Sequence, residues 1–214
     1  MMRPDATFDF ASSARDYEDV LKLILGANQH HGRFLGMSFR DMGSPLDACS
    51  EFVTCRVRGN IVGCARLTAV DGDVSKSQCA LAGHVMPDPM WTDGFVEGHG
   101  LAISPAFQGA GLLAPMITRV VSVAYEWGYD YFVIGSAMRL LDAYENFGFR
   151  EVDRREVTPL PGWTFTSALM YMDLPVLARN PPPGKWTQEV AQALARVSDQ
   201  RCERSLPMSE VRRS

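Results

Sequence analysis

The tetrad Gln108-Gly109-Ala110-Gly111 stands between residues 95–103, which read as a strand, and a run with helical spacing that reaches about Trp127. Such a turn aims several backbone N–H groups at one point, and the helix dipole adds partial positive charge there. A phosphate can therefore bind without many basic side chains, and glycine keeps the backbone free to approach it. Gly-rich turns before helices also serve only to redirect the chain, so the tetrad needs its context. A second set of reactive residues is Cys64 or Cys79 with His84 or His99 as a base, the parts of a thiol nucleophile. No nucleophile turn surrounds either cysteine. The five cysteines form no C-x-x-C pair, which fits reduced thiols better than a disulfide framework. His30-His31, His84 and His99 lack zinc-ligand spacing with cysteine or carboxylate, and no metal is expected.

The elements that must position these residues follow from periodicity. Residues 6–10 alternate as a strand, and Ser13-Ala-Arg-Asp16 opens a helix with Tyr17, Val20, Leu21 and Ile24 on one face and Gly26 as its stop. Residues 28–47 are irregular and carry Arg33, Phe34, Phe39 and Arg40, which suit either a cleft wall or a second short helix. A hairpin runs from Glu51 through Arg58-Gly59-Asn60 to Thr68, followed by a long Gly-, Asp- and Pro-rich connection over 69–94. After the tetrad, Leu113, Met116, Ile117, Val120, Ala124 and Trp127 line one helix face, with Pro115 in the first turn. A strand at 129–135, a short helix over Leu140 to Phe147 and strands at 149–157 and 164–172 complete residues 1–174 as one domain. Beyond Leu174, a linker at Asn180-Pro-Pro-Pro-Gly184 and a helix over Trp186 to Val197 mark 175–214 as an appendage.

Composition excludes some functions. The 214 residues carry 46% hydrophobic and 21% charged residues with a formal net charge of −4, enough for a sizeable core. No basic stripe of a nucleic-acid binder is present, and no apolar run reaches the roughly 18 residues that a membrane span requires. The start, Met1-Met2-Arg3-Pro4-Asp5, has no secretory pattern, so the cytoplasm is expected.

The element order over residues 6–174 resembles the GNAT acyltransferase superfamily. Its Gln/Arg-x-x-Gly-x-Gly/Ala turn matches at Gln108 and Gly111, with Leu113 where a small residue is usual. Its Tyr-Glu-x-x-Gly-Phe ending matches at Tyr144 to Phe149, and Ala137 stands where an Asn is usual. Within the superfamily, Asp47 to Leu67, Glu97-Gly-His-Gly-Leu-Ala-Ile-Ser-Pro105, Phe149-Arg-Glu-Val and Met170-Tyr-Met-Asp-Leu are similar to long-chain N-acyl amino acid synthases and, more distantly, acyl-homoserine lactone synthases. Gly100 replaces the arginine that often follows the glutamate by three.

The resemblance implies an α+β sandwich whose mostly antiparallel sheet of about seven strands carries helices on both faces. It implies an acyl-pantetheine donor, a thioester of acyl carrier protein or coenzyme A, and a small amine acceptor such as an amino acid. The donor's phosphate would meet Gln108, Gly109, Ala110, Gly111, Leu112 and Leu113, and its amides the strand at Leu101, Ala102 and Ile103. Glu97 becomes the general base, with His99 its alternative or helper, and Tyr144 either protonates the leaving thiolate or closes the core. Arg66 either holds an acceptor carboxylate or forms a structural salt bridge, and Phe34, Phe39, Trp91 and Phe95 could wall a fatty-chain channel. The implied activity is transfer of a fatty or medium-chain acyl group to an amine. Acetyl-CoA-dependent N-acetylation and a non-catalytic acyl-CoA or carrier-protein sensor are the alternatives.

Overall fold

The computed structural model describes residues 4–31, 37–38, 43–160 and 163–205. Strand β1 (Ala6–Phe10) leads into helix α1 (Ala14–His30), and a 3-10 turn at Pro45–Cys49 precedes β2 (Ser50–Val57) and β3 (Asn60–Val70). The long connection holds two short helices, α2 (Gln78–Leu81) and α3 (Asp88–Asp93). Then come β4 (Phe95–Ile103), α4 (Leu113–Glu126), β5 (Tyr131–Ala137), α5 (Leu141–Glu145), β6 (Arg150–Leu160), β7 (Trp163–Asp173), α6 (Leu174–Arg179) and α7 (Lys185–Ser205).

The seven strands form one sheet in the order β1-β2-β3-β4-β5-β7-β6. Every neighbouring pair is antiparallel except β4 and β5, so the expected mostly antiparallel sheet is present. On one face α4 and α7 cover the main core, where Met116, Val120 and Ala124 meet Leu67, Val96, Phe132 and Met170. On the other face α1 covers Phe52, Cys64 and Ala102, while α2 and α3 cover Phe95, Val133 and Leu169. Among the described residues no helix is long and apolar enough to cross a membrane.

Two sequence expectations change. Gly26 lies inside α1 rather than at its end, because the helix closes on His31, whose N–H bonds Asn28 O. A helical glycine costs roughly 1 kcal/mol, which packing of Val20 and Leu21 against the sheet offsets. The segment set apart as 175–214 also joins the main core: Val190, Leu194 and Val197 of α7 pack in the same cluster as α4. Its start is tied down by Thr187 Oγ1 donating to Asn146 O at 2.9 Å and by Trp186 against Phe147. The change in composition at Leu174 marks the passage from β7 into α6, whose Leu174 and Leu177 are buried in the same core.

The β3–β4 register slips by one residue between Cys64 and Arg66, so β4 carries an extra residue at Gly100-Leu101. Gly100 takes the left-handed conformation (φ +59°) that this β-bulge requires. Next to it, Gly98 lets β5 approach, since a Cβ there would sit 2.6 Å from Phe132 Cζ. The Phe132 ring is buried against Phe149 and has little room to retreat. Gly98→Ala is therefore expected to lower stability by about 1–3 kcal/mol, read as a drop in the urea midpoint at constant slope.

Candidate active site

Strands β4 and β5 pair only at Val96–Phe132, Glu97–Val133 and Gly98–Ile134. Past that point the bulge bends β4 away, and the sheet opens into a wedge. A cavity of about 820 Å³ fills its wide end, lined by Gly98, His99, Gly100 and Leu101 of β4, by Ile134 to Ala137 of β5, and by Leu21 and Ile24 of α1. A second cavity of about 360 Å³ lies between the end of β4, Gln108, Leu113 and α5. The two share Asn28, Leu101, Arg139, Leu140 and Tyr144, so they adjoin.

Of the residues expected to hold the donor, Leu101, Ala102, Ile103, Gln108 and Leu113 line the smaller cavity, whereas Gly109, Ala110, Gly111 and Leu112 do not. Gly109 and Gly111 have φ of +77° and +76°, values unfavourable for a side chain. Leu112 gives α4 no side-chain cap, and the first helical bond runs from Met116 N–H to Leu112 O at 3.1 Å. The earlier N–H groups of α4 thus lack helical acceptors, which is the geometry that favours an anion. Ala110 and Leu112 bury their side chains in the core, leaving only backbone for a ligand. Leu113, in place of a small residue, is 38% exposed and forms a wall of the smaller cavity. Gln108 Nε2 donates to Ile103 O at 3.4 Å, holding this turn against β4, and Leu101, Ala102 and Ile103 line the same space.

The acid–base residues meet on the other face of the sheet. Glu97 is fully buried; Ser77 Oγ donates to its Oε2 at 2.5 Å and the Cys79 N–H to its Oε1 at 3.0 Å. His99 Nε2 contacts the same Oε1. Glu97 does not line either cavity, whereas His99 lines the larger one. The carboxylate expected to face the acceptor therefore stands behind the imidazole. Burial pulls the His99 pKa below its ordinary 6.5; Glu97 opposes that shift and Arg66 adds to it. The ring is thus kept neutral, as a proton acceptor must be. The Cys79 Sγ, a Glu97 carboxylate oxygen and a His99 ring nitrogen lie within 4.8 Å of one another, the one such metal-ligand grouping among the described residues.

Arg66 lies beside this group and also lines the larger cavity. Its Nη1 donates to Asp47 Oδ1 at 2.8 Å and its Nη2 to Gln78 Oε1. Asp47 in turn accepts from Tyr17 Oη at 2.6 Å and the Ser44 N–H at 2.8 Å. The salt-bridge reading of Arg66 is thus present in the structure. Its Nε is buried without a hydrogen-bond partner among the described residues.

Tyr144 lines both cavities and packs edge-on against Phe149, so the ring closes the core and reaches the site at once. Burial pushes its pKa up to about 12. A phenol held that firmly can donate a hydrogen bond to sulfur, but it does not surrender its proton to a thiolate, whose ordinary pKa is about 8.5.

Of the thiol-nucleophile pairings the fold brings together Cys79 with His99, within 4.8 Å, but the buried thiols resist ionisation. Burial pushes the Cys64 thiol to about 12, and burial with the Glu97 charge pushes Cys79 well up. His84 is instead bonded to Asp153 at 2.9 Å and Ser167 at 3.1 Å. Trp91 and Phe95 pack edge-on in the α3 cluster and line neither cavity. Phe34 and Phe39 lie outside the described residues. Sequence reading missed Asn28, Ser77, Gln78 and Arg139. Of these only Ser77 carried a local signal, as a residue able to cap a short helix.

Comparison with known proteins agrees with this architecture. No curated protein sequence matches significantly. Among solved structures, FeeM, an N-acyl amino acid synthase from uncultured soil microbes, superposes with a TM-score of 0.62 at 14% identity, covering 88% of this chain and 98% of that one. A GNAT family acetyltransferase from Elizabethkingia anophelis with acetyl-CoA bound gives 0.52 at 18% identity, covering 78% and 97%. The IAA acetyltransferase from Bacillus cereus gives 0.51 at 14%, covering 79% and 99%. At such identities these likenesses establish the fold. The family described as Acetyltransferase (GNAT) matches residues 29–149, more than half of the sequence. The chain belongs to the GNAT acetyltransferase family.

Proposed function

We propose that the protein moves a fatty or medium-chain acyl group from a pantetheine thioester to a small amine that carries a carboxylate. The observation that carries this reading is His99, backed by Glu97 and opening into the same large cavity as Tyr144. At about 820 Å³ that cavity lies toward the top of the roughly 300–1,000 Å³ range of small-molecule pockets, and Leu21, Ile24, Ile117, Val120, Phe132 and Ile134 make much of its wall apolar. An acetyl group would leave most of it unused.

In the proposed reaction the donor's phosphate meets the opening of α4, and its amides run along the edge of β4 that β5 leaves unpaired. That edge also offers N–H groups to the developing oxyanion. As the amine nitrogen attacks the thioester carbon, its proton passes to His99, and the Glu97 carboxylate balances the charge that forms on the ring. The C–S bond breaks, the thiolate departs against the Tyr144 hydroxyl, and the proton on His99 returns to solvent. Arg66, which lines the cavity, supplies the positive charge that attracts the acceptor's carboxylate. The donor is a thioester of coenzyme A or acyl carrier protein, and such a donor implies the cytoplasm.

The test is a panel of acyl-CoA and acyl carrier protein thioesters against amino acids and carboxylate-free amines, followed as thiol release. The expected result is faster release from long-chain donors than from acetyl-CoA, and only with carboxylate-bearing amines. Preference for acetyl-CoA would replace this reading by N-acetylation. Donor binding without turnover would make the protein a sensor.

A further inference from the structure

We propose that Cys79 Sγ, Glu97 Oε1 and His99 Nε2 form a three-ligand site for a zinc-class divalent cation, its fourth position directed at the large cavity.

Three observations carry this. The first is spacing: tetrahedral zinc, with bonds of about 2.3 Å to sulfur and 2.0 Å to nitrogen or oxygen, holds its ligand atoms about 3.3–3.5 Å apart. The three side chains place donor atoms within 4.8 Å of one another; Glu97 Oε1 and His99 Nε2, in direct contact, have to separate to that spacing, and small side-chain rotations supply the change. The second is charge. On this face Asp47, with its side chain 9% exposed, is paired with Arg66, while the fully buried Glu97 has no Lys or Arg bonded to it among the described residues, which leaves one formal negative charge in excess. Binding M²⁺ forms an S–M bond as the Cys79 thiol loses its proton, so the cluster gains two positive charges and one negative. The net result is neutrality in a place where unbalanced charge is costly. The third is the surround. Ser77 Oγ holds Glu97 Oε2 in the manner of an outer-shell partner and is itself fixed by the Ala80 N–H at 3.0 Å; Oε1, which accepts the Cys79 N–H, keeps a second lone pair for the metal.

Access comes from the wedge. A Cβ on Gly135 would lie 3.2 Å from Cys79 Sγ, and Gly135 lines the large cavity, so no side chain stands between the sulfur and that wall. Gln78 and His99 line the same cavity from the other side. A mixed sulfur, nitrogen and carboxylate set selects zinc-class ions over magnesium or calcium, which prefer oxygen alone.

Binding does not depend on the acyl-transfer reading, but one consequence does. A cation on His99 Nε2 takes the place of the N–H that Glu97 backs and opposes the positive charge that a second proton would bring to the ring, so zinc inhibits transfer.

The experiment is titration of chelator-treated full-length protein with Co²⁺, a coloured substitute for zinc. One equivalent is expected to produce thiolate-to-cobalt charge-transfer absorption and tetrahedral d–d bands, both abolished by one equivalent of Zn²⁺. Cys79→Ser removes the charge-transfer band while circular dichroism stays native, and Cys64→Ser keeps it. Ser77→Ala weakens cobalt affinity about 10–100-fold. Absence of the band in the wild type, or its survival in Cys79→Ser, overturns the proposal. In the activity assay zinc lowers turnover, a chelator restores it, and Cys79→Ala is insensitive. If no amine is ever acylated, the proposed function fails while the cobalt spectra still decide the site.

Discussion

His99→Gln is expected to lower kcat by about 10²–10⁴-fold with little change in donor affinity, the usual worth of a positioned general base. Glutamine keeps a polar side chain on β4 but accepts no proton at neutral pH. Glu97→Gln acts through the imidazole, and a pH profile separates the two. In the wild type the base works only when neutral, so kcat at saturating acceptor falls as pH drops through the His99 pKa. Burial places that limb below 6.5. The Glu97 charge raises the His99 value, so removing it moves the limb to still lower pH while the plateau also falls. A limb at or above the ordinary histidine value, or an unchanged rate in His99→Gln, would remove His99 from the reaction.

Arg66→Ala should produce the largest loss of stability, about 3–5 kcal/mol, because it leaves Asp47 charged, buried and without its cation. Both side chains are only 9% exposed, so solvent screening offers little relief. Loss of the guanidinium also strands Gln78, which helps hold α2 against the site. A paired change, Arg66→Met with Asp47→Leu, should recover most of the loss, since it removes both charges together. Chemical denaturation of the three variants measures this; equal loss in the single and double variants would show that packing, not charge, sets the cost. Arg66→Lys keeps a charge but deletes Nε. It should raise the acceptor KM far more than it changes the melting temperature.

The turn and helix of the proposed donor side were legible in the sequence because their signals are local. Gln108 to Gly111 sit within one turn, and the helix that follows carries its own apolar stripe, so spacing alone places them. Tyr144 and Phe149 belong to one contiguous run. The acceptor side was hidden because its members come from separate elements. Glu97 and His99 lie on β4, Ser77 and Cys79 at α2, Arg66 on β3 and Asp47 before β2. A four-residue helix inside a Gly- and Pro-rich connection has no periodicity to reveal it, yet it brings Ser77, Gln78 and Cys79 to the buried glutamate. Alternation placed His99 on the same side as Glu97, as the structure has it. It could not tell which of the two faces a ligand, because that depends on how deep α2 sits. The same limit explains the absent zinc pattern: cysteine and histidine twenty residues apart meet only through the fold.

The extra residue at Gly100-Leu101 changes the parity of β4. Before it, even-numbered Val96 and Gly98 face α4; after it, odd-numbered Leu101 and Ile103 do, and Ala102 turns to α1. One strand therefore shows acid–base side chains to one compartment and, half a pleat out of phase, a smooth aliphatic flank to the other. Deleting a single residue there would not shorten a loop. It would swap the inside and outside of everything from Leu101 onward, so the length of this strand is held as tightly as the identity of any residue on it.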